Sequence, residues 1–371
     1  MIRALILDLD GTVYRGRPYA SHGIAVGELV FTTSMTGYQE VVTDPSFAGQ
    51  LVTFTQPMIG NYGVEPDASE SAAPHARAVI VREGRNAAPG SRAGFADWLS
   101  EHGVVGLQGI DTRAITRRLR DGGAVRAAVS TGTATVEEVL AAVHAAPEMA
   151  GQALAAGVSR AAPETFPAEG RERAHVVILD YGVKGSIVRL LCEAGARVTV
   201  MPWDASAAEV LATTPDGILL ANGPGDPAAL PACVAEVRAM LEARPVFGIC
   251  LGHQLLGRAL GLETYKLRFG HRGANHPVLE LDSGRVLVTA QNHGFAVRGP
   301  ESGREFETTY GPAIVTHTSL YDGTIEGLAL RDRDVSSLQF HPEASPGPHD
   351  AREALAGFVD RIASAERAAV A

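Results

Sequence analysis

A chain of 371 residues, 46% hydrophobic and 20% charged, has ordinary globular composition and room for two or three domains. Its net charge of −10 argues against a nucleic-acid partner, which would need a concentrated basic surface. No apolar run is long enough to span a bilayer, the opening residues carry no signal-peptide pattern, and three cysteines are too few for a disulfide framework, so a reducing cytoplasm is expected.

In chain order, residues 1–7 read as a first strand. Up to about residue 150 short β-like runs alternate with glycine turns, as at 28–33 and 50–55. Helical patterns follow at 91–102 and 111–121, the second with Asp111 as N-cap and Gly122-Gly123 as its stop. Residues 159–173 hold prolines, alanines and mixed charges without a period and read as linker. Strands and helices then alternate: strands at 175–180, 197–200 and 217–221, helices at 186–194 and 232–243, and a strand leading to Cys250 with a helix-like run over 254–260. Continuous apolar strands of this kind are buried on both faces. The expected architecture is α/β: a doubly wound, mainly parallel C-terminal sheet preceded by a smaller mixed α/β domain. The expected boundaries are 1–150, a linker over 151–173, and 174–371.

The most informative stretch is Gly248-Ile249-Cys250-Leu251-Gly252. An apolar strand ending in Gly-x-Cys-x-Gly before a helix is the cysteine form of a nucleophile elbow. The sulfur stands at a helix N-terminus, where backbone N–H groups and the helix dipole favour a thiolate. Cys192 and Cys233 fall inside helical patterns and read as small buried hydrophobes. Far downstream, Gln339-Phe340-His341-Pro342-Glu343 supplies a base and a carboxylate. In an extended segment alternate side chains share a face, so Glu343 would orient His341 as the acid of a Cys-His-acid triad does. Asn222-Gly223-Pro224-Gly225 follows a strand and offers the N–H groups of Gly223 and Gly225 to an oxyanion, with the N–H of Leu251 as the natural second donor. Gln291-Asn292-His293-Gly294-Phe295 reads as a polar turn suited to an amino-acid head group.

Two other patterns compete. His271 and His276 could ligate zinc, but no cysteine or carboxylate lies at ligand spacing, so no metal is expected. Leu7-Asp8-Leu9-Asp10-Gly11-Thr12 matches the strand-then-Asp-x-Asp signature of haloacid-dehalogenase-type phosphatases, yet no α/β core follows it directly. Residues 182–186 follow a strand but lack the spacing of a P-loop or a dinucleotide fingerprint.

Together these motifs resemble the class I glutamine amidotransferases, and end to end the chain resembles the small, glutamine-hydrolysing subunits of carbamoyl-phosphate synthases. In the first part the likeness rests on residues 31–40, 43–46, 60–63 and 109–113. In the second it rests on 222–227, 248–252, 269–277, 291–295 and 341–349. One departure is Gly185-Ser186, where that family more often carries a larger residue followed by Asn. The resemblance implies Cys250 as nucleophile, His341 as base and Glu343 as orienting acid. It implies glutamine held by Ser46, Gly223, Gly225, Leu251, Gln254, Asn292, Gly294 and Phe295, with Ser46 coming from the first domain. It implies a large ATP-grasp partner that makes carbamoyl phosphate from bicarbonate and ATP for arginine and pyrimidine biosynthesis. No cofactor is expected in this chain, with ATP and Mg on the partner. The rivals are the glutaminase subunit of another amidotransferase, a stand-alone cysteine hydrolase, a silent scaffold, and the phosphatase suggested by Asp8 and Asp10.

Overall fold

The computed structural model describes residues 3–90 and 92–370, and the chain divides into two compact units. The first comprises residues 1–152 with 268–273, and the second 153–267 with 274–371. Among the described residues no helix is long and apolar enough to cross a membrane.

Among its described residues the first unit forms an eight-stranded mixed sheet. Its centre is parallel: Gly23–Thr32, Gln50–Phe54, Ala78–Val81 and Val105–Gln108 lie side by side. Side chains alternate across the pleat, so Val30, Val52 and Val79 enter one core while Leu29, Leu51 and Ala78 enter the other. Helix Thr112–Gly122 covers the second face with Ile115 and Leu119. Asp111 caps it by accepting the Ala114 N–H at 3.0 Å, and Gly123 ends it with φ of 100°. The expected helix over 91–102 is shorter, Phe95–Glu101, and Ser91 lies outside the described residues. The first strand is described as Arg3–Asp8, with Met1 and Ile2 outside the described residues.

Arg3–Asp8 runs antiparallel to both of its neighbours, Val13–Arg15 and Val125–Gly132. This corrects the phosphatase reading, which needs Asp8 at the end of a parallel strand. Asp8 instead organises its own turn: Oδ1 accepts the N–H groups of Asp10 at 3.1 Å and Thr12 at 2.8 Å. The Arg118 guanidinium bridges Asp8 Oδ2 at 2.8 Å and Asp10 Oδ2 at 2.7 Å.

The second unit is built on an eleven-stranded sheet among its described residues. Five strands are parallel in the order Ala196–Pro202, Ala174–Asp180, Gly217–Leu220, Val246–Ile249 and Val335–Leu338. Helices cover both faces. Val176, Ile178 and Phe247 pack against Gly185–Glu193 and the C-terminal helix that begins at Glu353, through Ile187, Leu191, Phe358 and Ile362. Val177, Leu179 and Val246 face Ala207–Ala212, Pro231–Leu241 and Leu251–Ala259, through Val210, Val237 and Leu255. The fold class is therefore α/β with a doubly wound parallel centre.

Three segments differ from the sequence expectation. The stretch 151–173 is not mere linker: its strand Glu164–Phe166 pairs antiparallel with Ala196–Pro202, and Phe166 packs on the core. An antiparallel extension, Ile325–Leu330, Gly311–Ser319 and the long strands Thr264–Glu280 and Val286–Val297, continues the sheet beyond Val335–Leu338. Residues 291–295, expected as a turn, lie inside Val286–Val297, because sheet pairing overrides their polar composition.

Candidate active site

The site grows from the carboxyl ends of the parallel strands, where doubly wound sheets place their ligands. Val246–Ile249 ends at Cys250, whose φ of 53° and ψ of −103° lie outside the ordinary regions for an L-residue. Such a conformation costs on the order of 1–3 kcal/mol and persists only when its surroundings enforce it. Here the Cys250 N–H is held by Leu338 O at 2.9 Å, and its carbonyl already accepts from Gln254 N at 3.1 Å. The elbow also needs glycine for close approach. A Cβ on Gly252 would stand 2.0 Å from Leu220 O, and one on Gly223 would stand 2.1 Å from Tyr181 O. The same imagined Cβ of Gly223 lies 3.1 Å from Leu251 Cδ2, so the Asn222 loop and the elbow adjoin. Leu251 is the first residue of its helix, so its N–H has no acceptor within the helix.

Opposite the elbow, Val335–Leu338 leads to His341. The extended run expected to carry both His341 and Glu343 stops short. His341 makes one isolated bridge, its N–H on Ala290 O at 2.9 Å, and the chain then turns, with Ala344 N on His341 O at 3.2 Å. That turn, not strand alternation, brings Glu343 Oε1 to 2.6 Å from His341 Nδ1. Cys250, His341 and Glu343 are all buried.

Burial alone would drive protons off His341. The Glu343 carboxylate outweighs it, aided by the Cys250 sulfur, and the imidazole pKa is pushed up to about 10. Glu343 is held well below the usual carboxylate range: burial opposes its charge, but the Lys184 ammonium and the His341 ring overcome that. The link from His341 to Cys250 is looser. Among the described residues Nε2 meets no partner in hydrogen-bond geometry, and the thiol points at Asn292 O, 3.6 Å away. Catalytic hydrogen bonds are often long before substrate binds.

The residues expected around a substrate sort as follows. Gly223, Gly225 and Leu251 line the turn and elbow just described, and Gly225 has φ of 96°. Asn292, Gly294 and Phe295 lie on Val286–Val297, with the Asn292 carbonyl at the cysteine. Gln254 is buried and spends its amide nitrogen on protein: Nε2 donates to Phe295 O at 2.8 Å and to Gln339 Oε1 at 3.1 Å. Its carbonyl oxygen is therefore the group it has to offer a ligand. Ser46 belongs to the first unit, in the 3-10 turn Pro45–Phe47, with its N–H on Asp44 Oδ1 at 2.9 Å. Cys192 and Cys233 are buried free thiols in helices, and burial pushes Cys233 up to about 11.

One site residue escaped the sequence. Lys184, in the segment read as a failed phosphate loop, is almost fully buried, with Nζ 2.9 Å from Glu343 Oε1 and 2.5 Å from Ser345 O. A lone lysine after a strand carries no signal of a partner 159 positions away.

Comparison with known proteins gives the class of each part of the chain. Residues 177–360 match the family described as "Glutamine amidotransferase class-I", so the second domain is of that class. Residues 5–129 match "Carbamoyl-phosphate synthase small chain, CPSase domain". The carbamoyl phosphate synthase small chain of Chlorobaculum tepidum is 46% identical over 97% of this chain and 97% of its own length. Those of Akkermansia muciniphila and Streptomyces avermitilis are 44% and 45% identical, over 99% and 96% of this chain and 99% and 95% of their own. This chain belongs to the carbamoyl phosphate synthase small-chain family.

Proposed function

We propose that this chain hydrolyses glutamine to glutamate and ammonia, with Cys250 as nucleophile, His341 as base and acid, and Glu343 as the group that orients His341. The observation that carries the reading is the buried 2.6 Å contact between His341 Nδ1 and Glu343 Oε1 at the turn facing the strained Cys250 elbow. The contact fixes the ring tautomer, so Nε2 is the nitrogen left to exchange a proton with sulfur and substrate.

The Cys250 sulfur, as thiolate, attacks the side-chain amide carbon, and the C=O becomes an oxyanion. In this scheme the N–H groups of Leu251 and Gly223 receive it, and each such donor is worth roughly 10²–10³ in rate. His341 gives its proton to the nitrogen, the C–N bond breaks, and ammonia leaves a thioester on Cys250. Water then loses a proton to His341 and attacks the thioester, the C–S bond breaks, and glutamate departs. Gln254 Oε1, Asn292, Gly294, Phe295 and Gly225 hold the glutamine, while Ser46 is carried by the resemblance alone.

The family implies a large partner subunit. In this reading the partner binds ATP and Mg and uses the ammonia with bicarbonate to form carbamoyl phosphate, for arginine and pyrimidine biosynthesis in the cytoplasm. This chain needs no cofactor for its own step. The test is Cys250→Ser in the full chain. Glutamate release should vanish, while the variant paired with its large subunit still makes carbamoyl phosphate from ammonium salts. Glutamine hydrolysis surviving in the variant would falsify the nucleophile assignment.

A further inference from the structure

Apart from the residues assigned to glutamine, the second unit holds a cleft of about 370 Å³ between its antiparallel strands and the C-terminal helix. That volume falls in the range of small-ligand sites. Neither the triad nor the residues expected to hold glutamine belong to its lining. The floor is apolar: Phe247, Leu287, Leu338 and Phe340, all of them buried.

Two glycines keep the space open. Strand register sets Glu280, His317, Gly327 and Leu338 side by side on four neighbouring strands. Gly327 has no side chain to fill that row, and a Cβ there would stand 2.5 Å from Thr316 Oγ1 and 2.6 Å from His317 Nδ1. On the helix side Gly357 lines the same space, where a Cβ would meet nothing closer than Arg361 Nη1 at 3.7 Å. Glycine inside a helix is unfavourable, and no close approach requires it at this position.

The polar groups select a charge. Glu280 and His317 are cross-strand partners, with Oε1 and Nε2 3.9 Å apart. That is too far for a direct hydrogen bond and close enough for one ammonium group to reach both. Ser283 Oγ donates to the other Glu280 oxygen, and His317 Nδ1 lies 2.8 Å from Thr316 Oγ1, which leaves Oε1 and Nε2 as the pair to offer a ligand. Burial lowers the His317 pKa against the pull of Glu280 and Asp282, so the ring is neutral and Nε2 can accept. Around the cleft stand the carboxylates of Glu280, Asp282, Asp350 and Glu353 and the guanidinium groups of Arg285 and Arg361. Arg304 pairs with Asp282 at 2.6 Å, and Asp334 pairs with Arg361 at 2.9 Å. The balance left is three carboxylates to one guanidinium, a field that draws cations and turns anions away.

We propose that this cleft binds a small organic cation, a protonated amine on an aromatic or branched aliphatic body. The ammonium bridges Glu280 Oε1 and His317 Nε2, and the apolar body lies on the floor of Phe247, Leu338 and Phe340, under Gly357. The site goes beyond the glutaminase reading and does not rest on it.

The experiment titrates the full-length chain with phenethylamine, 2-phenylethanol and 3-phenylpropionate by isothermal calorimetry. The three share a phenyl body and differ in the charge of the other end. Phenethylamine should bind with Kd near or below about 1 mM, as befits so small a ligand, and at least about tenfold more tightly than the other two. Glu280→Gln removes the charge and should weaken amine binding about tenfold. Gly357→Leu puts a side chain into the cleft and should abolish binding. Circular dichroism checks the fold of each variant, and Glu280→Gln, a change of charge on a partly exposed side chain, carries the test if Gly357→Leu does not fold. An amine that binds no more tightly than the alcohol, a preference for the carboxylate, or wild-type amine affinity in either folded variant would overturn the proposal. So would undetectable binding at about 10 mM amine, well above the affinity expected of such a ligand. No glutamine enters the measurement, so this site and the glutaminase reading stand or fall separately.

Discussion

Asp8 and Cys250 both stand where a strand ends, and both sit in a motif that suggests chemistry, yet their surroundings use them differently. Around Asp8 the polar capacity is spent locally. One carboxylate oxygen caps two backbone N–H groups, the other pairs with Arg118, and the companion Asp10 is exposed. Around Cys250 the backbone is held in a strained conformation by distant segments, and the buried charges beside it come from Lys184, His341 and Glu343. A turn satisfied by its own neighbours is structure. A buried set of ionisable groups assembled from remote parts of the chain, with Nε2 of the base in no full hydrogen bond among the described residues, is poised to act on something else.

The largest test of that contrast pairs Cys250→Ser with Asp8→Asn. The first should lower glutamate release by 10⁴-fold or more, to the limit of detection, while the second leaves it within about twofold. Equal losses in both would erase the distinction. Next in size, His341→Asn should cost roughly 10²–10⁴ in kcat as the proton-transfer group disappears. A loss confined to KM in steady-state assays would make His341 a binding residue.

Much of this was legible in the sequence because the signals were local. Gly248 to Gly252 announced an elbow through glycine spacing at a strand end, and the buried strands at 175–180 and 217–221 showed as unbroken apolar runs. Asp111 was readable as a cap because capping depends on the three residues that follow. What stayed hidden depends on pairing at long range. Residues 291–295 are polar enough to pass for a turn and become strand only through their sheet neighbours. Glu343 was expected beside His341 through strand alternation, whereas the structure makes that contact by a turn. Lys184 gave no sign at all, since its partner lies 159 positions away.

Two buried imidazoles in the second unit sharpen the comparison through stability. His253, on the elbow helix, bonds Ser337 Oγ at 2.9 Å, and burial, with some help from His317, lowers its pKa to about 3. His341 moves the other way, up to about 10. The unfolded chain protonates His253 near its ordinary value of 6.5, so this group contributes stability above that pH and loses it as pH falls toward about 3. His341 has the opposite sign: its contribution is full below 6.5 and fades as pH rises through about 10. Urea unfolding between pH 6.5 and 4 should therefore show a His253-dependent slope of up to about 1.4 kcal/mol per pH unit, absent in His253→Asn. An unchanged slope in that variant would place the acid sensitivity elsewhere.

The smallest effect returns to the front of the chain. Asp8→Ala removes the acceptor for the Asp10 and Thr12 N–H groups and leaves Arg118 with Asp10 alone. A buried side chain that answers two backbone donors is worth about 1–3 kcal/mol when deleted. Asp10→Ala removes a carboxylate that is mostly exposed, whose pairing with Arg118 is screened by solvent and worth at most about 1 kcal/mol. Urea midpoints should fall clearly for the first variant and barely for the second, with glutamine hydrolysis per folded molecule unchanged in both. The reverse order would mean that the exposed ion pair, and not the backbone caps, holds this turn, and the account of Asp8 as a purely local device would fail.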